Sequence, residues 1–183
     1  MSKWFKLSFA LALILVVVPV AGCLKGPTGM TETQFKGLLT LPDIQKLSTP
    51  SNIALVGTFY DYKNDPNSDP SKTLHMDDYY GMVFISDDQS TGVALTVVDF
   101  DSAQVMQQYI LSVQTNSQLQ QMAKPIATSS MEKEFNSQGL GSVVVFQRGN
   151  TLVELLTGLP DGATPFMTLP NLEVLARQIA AKL

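Results

Sequence analysis

The sequence predicts an α+β fold in which an antiparallel sheet, built from two hairpins, carries helices packed on one face. Residues 82–85 with 93–100, and 143–147 with 151–157, are pairs of apolar segments separated by turn residues, which is the pattern of a β-hairpin. Each pair is followed by a stretch with apolar residues at helical spacing. This order of hairpin, helix, hairpin and helix is a loose internal duplication, and it favours a sheet with helices layered on it.

Helices are predicted at three places. Residues 34–47 are apolar at helical spacing, with an interruption near Pro42, because proline is tolerated only in the first turn of a helix. A second helix follows the first hairpin and is capped by Asp99 or Asp101, and a third begins at Leu169. The apolar stripes of the last two are Val105, Met106, Tyr109, Ile110 and Val113, and Leu172, Leu175, Ile179 and Leu183.

The remaining segments are one strand and two polar stretches. Residues 53–62 alternate loosely and predict a strand before the first hairpin. Residues 63–78 are polar and contain two prolines, which predicts an exposed loop. Residues 115–138 are also polar, and we expect a loop there with one more helical turn.

The turn residues of the second hairpin predict which residues of its two strands lie opposite each other. Gly149 and Asn150 tolerate the positive φ angles of a two-residue turn. A turn at these two residues fixes which side chains share a face of the sheet. The face predicted to point towards the core carries Val144, Phe146, Val153 and Leu155.

The opposite face of this hairpin carries a carboxylate, Glu154, between apolar neighbours. An open sheet face turned towards solvent is the simpler interpretation. The alternative is a binding face, in which an apolar patch surrounds one carboxylate and receives a partner. The residues of this candidate binding face are Val145, Leu152, Glu154 and Leu156.

The N-terminus has the three zones of a signal peptide. Lys3 and Lys6 supply positive charge, residues 7–20 are apolar, and small residues follow. The apolar run is about 21 Å long as a helix, against roughly 30 Å for a bilayer core. This length suits the core of a signal peptide better than a permanent membrane span.

The run Val20-Ala21-Gly22-Cys23 resembles the lipobox of prokaryotic lipoprotein precursors, and the resemblance covers residues 1–24. It implies a diacylglyceryl group on Cys23 and cleavage between Gly22 and Cys23. Two acyl chains would hold the protein firmly in a membrane, at the extracytoplasmic face of the cell membrane or the outer membrane. Val20 stands where the family more often has leucine. The alternative is an ordinary secretory leader with a cysteine there by chance.

The predicted domain organisation is a signal peptide (1–22), a flexible lipid-anchored tether (23–33) and one α+β domain (34–183). Two basic residues leave with the leader, so 10 basic and 16 acidic residues remain, a net charge of −6. An acidic domain is a poor match for nucleic acid or anionic lipid. Cys23 is the only cysteine, which excludes a disulfide within the chain.

Three groups of residues are candidate chemical sites. Asp65, Asn67 and Asp69 have the spacing of a calcium-loop start, but Pro70 stands where that loop needs glycine, so a solvated turn is the simpler interpretation. His75 is the only histidine, too few ligands for a copper or zinc site, and an exposed loop position is preferred. The aromatic residues are interpreted as packing, with a ligand patch as the alternative: Phe59, Tyr60, Tyr62, Tyr79 and Tyr80.

These patterns favour a non-catalytic, membrane-anchored lipoprotein that needs no metal or cofactor and binds an envelope protein or a small molecule. The mature part loosely resembles small extracytoplasmic lipoprotein domains of unknown role. One alternative is an envelope hydrolase that uses Asp and Glu carboxylates, for which a deep pocket with paired carboxylates would be the sign. A purely structural envelope protein is the other.

Overall fold

The structure is a computed structural model that describes residues 30–48, 56–61, 76–85, 92–137, 140–158 and 167–183, with backbone alone at 56–61, 135–137 and 140. Its centre is a seven-stranded sheet in the order β1-β2-β3-β7-β6-β5-β4, and each of these pairings is antiparallel. The α+β class is thereby confirmed. The strands are β1 (Val56–Asp61), β2 (Met76–Ile85), β3 (Gly92–Phe100), β4 (Gln120–Gln121), β5 (Ser129–Ser137), β6 (Leu140–Arg148) and β7 (Thr151–Thr157).

Both predicted hairpins are present. β2 pairs with β3, and β6 pairs with β7 around a two-residue turn in which Gly149 has a φ of 60°. Val145 lies opposite Glu154, and Phe146 lies opposite Val153, as the sequence predicts. The turn residues therefore set the register of the second hairpin correctly.

Four described helices accompany the sheet: α1 (Glu32–Leu38), α2 (Leu41–Gln45), α3 (Ala103–Ser117) and α4 (Leu169–Lys182). Thr31 and Gln34 form a capping box at the start of α1, which satisfies backbone N–H groups that a helix leaves free. Pro42 lies in the first turn of α2, where its missing N–H has no cost. None of the helices in the described part of the chain combines the length and the apolar character that crossing a membrane would require.

The helices lie on both faces of the sheet, which corrects the prediction that they share one face. Alternate residues of each strand point to opposite faces, and two separate apolar clusters result. On the first, the α4 face, α1, α2 and α4 cover Val93, Leu95, Val97, Val144, Phe146, Val153 and Leu155. On the second, the α3 face, α3 covers Ala94, Val98, Val143, Val145, Leu152 and Leu156.

The internal duplication holds for the strands and not for the helices. Phe84 in the first hairpin and Phe146 in the second both belong to the core of the α4 face. Ile110 of α3 and Ile179 of α4, in contrast, belong to different clusters. A helix that follows a hairpin can fold back over either face of the sheet. Here α3 lies on one face and α4 on the other.

Two further predictions are wrong in the middle of the chain. The polar residues 115–138 include β4 and β5 rather than a loop. β4 pairs with β5 only at Met131 and Glu132, so most of β5 borders the sheet on that side, where polar side chains are common. The N-cap of α3 is Ser102, whose Oγ accepts a hydrogen bond from the Val105 amide at 3.3 Å. Asp99, one of the two expected caps, instead accepts a hydrogen bond from the Thr151 hydroxyl.

Candidate functional site

A cleft of 840 Å³ opens at one end of the sheet, on the α4 face. One wall is α1, with Met30 before it, and the opposite wall is the β6–β7 turn with the last residues of α4. The ends of β2 and β3 close it. The cleft is lined by both apolar and polar residues, among them Met30, Leu38, Asp77, Asp99, Phe100, Arg148, Thr151 and Lys182.

Three polar side chains form a row across the sheet end, named here the polar row: Arg148 on β6, Thr151 on β7 and Asp99 on β3. Arg148 pairs with Thr151 and Thr151 pairs with Asp99 in the strand registers. The Thr151 hydroxyl donates to a carboxylate oxygen of Asp99, and the Arg148 guanidinium donates to the carbonyl oxygen of Ala180 in α4. A cation, a hydroxyl and an anion are therefore held side by side in the cleft.

The α1 wall is fastened to α4 by one lysine. Lys182 Nζ donates to the carbonyl oxygens of Gly37 at 3.3 Å and Leu38 at 3.0 Å, and lies 3.2 Å from Asp43 Oδ2. Burial would raise the pKa of Asp43, but hydrogen bonds from Thr40 and the charge of Lys182 outweigh it and lower that pKa. Within the described part of the chain, Lys182 contacts three acceptors, whereas Arg148 contacts one. Of these two cations in the cleft, Arg148 therefore has more N–H groups that can donate to a ligand.

The candidate binding face of the second hairpin is not a surface. Its four residues share one face, as predicted, but α3 covers that face. Gln107 of α3 donates to Gln147 Oε1 of β6 at 3.0 Å, which ties the helix to the sheet there. Val145, Leu152, Glu154 and Leu156 are all at most 8% exposed. A partner cannot reach them while α3 is in place.

Glu154 is consequently a buried carboxyl group inside the domain. Burial raises its pKa from 4.5 to about 7, because a charged carboxylate is poorly solvated there. Thr96 is its neighbour on β3 and is itself buried. Burial also raises the pKa of the Tyr109 phenol, with the charges of Glu154 and Tyr79 adding to the effect. The polar groups beneath α3 thus favour their neutral forms.

A second pair of carboxyl groups, Glu132 of β5 and Glu173 of α4, lies away from the cleft. Burial raises the pKa of Glu132, and the charge of Glu173 and its hydrogen bond to Glu132 add to this, while Arg177 opposes it. The guanidinium of Arg177 lies 3.9 Å from Glu173 and also donates to two loop carbonyl oxygens. This arrangement fastens α4 to the loop before β5.

The other predicted site residues have different outcomes. Gly22, Cys23, the Asp65–Asn67–Asp69 spacing, Tyr62 and His75 lie outside the described residues, as do the side chains of Phe59 and Tyr60. Within the described ranges, no group of three or more His, Cys, Asp or Glu side chains could hold a metal ion.

Tyr79 and Tyr80 are both buried, and they point to opposite faces of the sheet. The Tyr80 ring lies 5.4 Å from that of Phe35 in α1. The prediction that these two tyrosines are packing residues is confirmed. Because they lie on opposite faces, they do not form one aromatic patch.

The sequence reasoning did not identify Arg148 or Asp99 as site residues. The signal for Arg148 was present: it precedes the Gly149-Asn150 turn and so lies opposite Thr151. Asp99 joins it only through the pairing of β3 with β7, which no local pattern indicates.

Comparisons with known proteins returned little. No protein-family model matches the chain, and no curated protein sequence matches it. Among solved structures, it is similar to the extracellular domain of PknH from Mycobacterium tuberculosis, with 12% sequence identity and a TM-score of 0.49. The match covers 86% of this chain and 98% of that one.

Proposed function

We propose that this protein is a lipid-anchored, extracytoplasmic binding protein whose cleft takes a small polar ligand. The cleft is the observation that carries the proposal. Its 840 Å³ lies within the range of about 300–1,000 Å³ usual for ligand pockets. It combines apolar walls with a few converging polar groups on regular elements, which is how such pockets recognise a ligand.

The proposed anchor would hold the cleft near the membrane. Met30, at the edge of the cleft, comes seven positions after Cys23 in the chain. A fully extended chain of this length spans at most about 25 Å. A ligand would therefore be bound close to the lipid headgroups, by a domain whose acidic surface has little attraction for anionic lipid of its own.

Replacing the proposed lipid attachment residue, Cys23→Ala, is expected to release the protein from the membrane without unfolding the domain. Cys23 precedes the described domain, so its loss removes no contact within the described residues. Metabolic labelling with a radioactive fatty acid, followed by fractionation of membrane and soluble material, measures the effect. Cys23→Ser serves as a conservative control that also cannot form the thioether. Continued lipid labelling of either variant would contradict the anchor.

Ligand binding in the cleft is expected to move particular backbone amide signals in a ¹H–¹⁵N NMR spectrum. Gly37 and Gly149 line the cleft and should shift when a small-molecule library contains a ligand. Gly92 and Gly141 lie elsewhere in the sheet and are the matched controls. Shifts at all four glycines alike, or at none of them with any compound, would count against the proposed site.

A hydrolase is the second candidate function, because Asp77 and Asp99 both line the cleft. Paired carboxylates are what glycoside hydrolysis uses. The same NMR samples separate the two functions. A binding protein returns its ligand unchanged after a day, whereas a hydrolase converts it, and conversion that Asp99→Asn abolishes would favour the enzyme.

A further inference from the structure

We infer that the cleft takes short unblocked peptides of two or three residues, bound as zwitterions along the polar row. This inference rests on the proposed binding function and assigns the ligand class. The ammonium group of the peptide lies at Asp99 and its carboxylate at Arg148. The order of the charges in the row, the distance between them and the hydrogen-bonding capacity of each end favour such a ligand.

The spacing of the row matches a short peptide. Arg148 and Asp99 lie on β6 and β3, with β7 between them. Neighbouring strands are about 4.8 Å apart, so the two Cα atoms are separated by about 10 Å. An extended peptide spans about 3.3–3.6 Å per residue. Two or three residues therefore place opposite charges near both ends of the row.

The two end residues of the polar row, Arg148 and Asp99, can each form further hydrogen bonds. Arg148 has five N–H donors, and among the described residues its guanidinium donates to the carbonyl oxygen of Ala180. A carboxylate accepts about four hydrogen bonds, so Asp99 can receive an ammonium group while it accepts from Thr151. The guanidinium fork matches a carboxylate in shape, and bonds between charged partners are the strong ones.

The rest of the cleft suits the middle of a peptide. The Thr151 hydroxyl donates to Asp99, which leaves its oxygen free to accept from a peptide N–H. Met30 is partly exposed and supplies apolar surface for a side chain of the peptide. Lys182 is held by Asp43 and two carbonyl oxygens, so the peptide carboxylate has its better partner in Arg148.

The test is a calorimetric or NMR titration of the full domain with trialanine and its two end-blocked forms. We expect trialanine to bind with a Kd of about 1 mM, since the row is partly exposed to solvent. Acetylating the amino end or amidating the carboxyl end should each weaken binding about tenfold, because each removes one charge-assisted contact.

Two variants assign the ends of the peptide. Arg148→Gln should remove the preference for a free carboxylate and keep the preference for a free ammonium group, and Asp99→Asn should do the reverse. Lys36→Gln is the matched control, since Lys36 is an exposed cation of α1 paired with Glu32 and does not belong to the cleft lining. This control should leave both preferences unchanged.

The outcomes distinguish this inference from the proposed function. If trialanine and its blocked forms bind equally, or none binds up to about 10 mM while another compound shifts Gly37 and Gly149, the peptide assignment is wrong and the binding function stands. If no compound of any class moves those two glycines, both fail. Loss of both end preferences in the Lys36→Gln control would also overturn the assignment.

Discussion

Raising the pH from 4.5 to 7 is expected to lower the free energy of unfolding by about 3 kcal/mol through Glu154 alone. Burial raises the folded-state pKa of this group to about 7, against 4.5 for an ordinary glutamate. Between these values the folded domain holds a proton that the unfolded chain has released. Stability from this group is therefore complete below pH 4.5 and is lost as the pH rises through 7.

Urea unfolding at a series of pH values measures this effect, and Glu154→Gln isolates it. The glutamine variant keeps the shape of the neutral carboxyl group and has no charge to bury. It should lose most of the decline between pH 4.5 and 7 and be more stable than the natural chain at pH 8. Glu134→Gln, which changes an exposed glutamate on β5, is the matched control. Equal slopes for the natural chain and Glu154→Gln would contradict the assignment.

Truncating the centre of α3 by Met106→Ala is expected to lower the free energy of unfolding by about 2–5 kcal/mol. Met106 is fully buried between α3 and the sheet. Removing its side chain leaves a cavity that the surrounding core fills only in part. Thermal or urea unfolding at a pH below 4.5 gives the value without a contribution from Glu154.

Leu111→Ala in the same helix is the control for this prediction. Leu111 is 60% exposed, so its truncation should change the stability by less than about 0.5 kcal/mol. The comparison tests whether α3 is part of the folded core on the second face of the sheet. Similar small losses for both variants would mean that α3 is a loose cover, and the sheet would then have only one structural core.

The local features of this fold could be predicted from the sequence. The register around Gly149 and Asn150 follows from turn chemistry, and the buried stripes of α3 and α4 follow from helical spacing. The placement of α3 on the second face could not be read in this way, since it depends on the path of the connection. A signal was nevertheless present: Leu152 and Leu156 flank Glu154 on its own face, and aliphatic residues there indicate a covered face rather than an open one.

The site was less predictable than the fold because it is assembled across long distances in the sequence. Thr151 and Asp99 are 52 residues apart and meet only in the folded sheet. Asp99, at the end of β3 and close to α3, is equally well suited to capping a helix, and the sequence alone favours that local role. Arg148 beside a tight turn looks like an ordinary solvated cation, and its place in the cleft follows only from the packing of α1 and α4 against the sheet.

Lys182 reaches Leu38 across 144 residues of chain, so one wall of the cleft is held by a contact between the first and the last described helix. Closing a loop of that length costs about 4 kcal/mol of chain entropy, which packing in the folded domain offsets. Phe35 and Leu38 of that wall are buried in the core of the α4 face, so α1 is part of the folded core and not a loose cover. Detachment of α1 would open the cleft and expose part of this core in one local unfolding event, so the shape of the cleft depends on the stability of the α4 face.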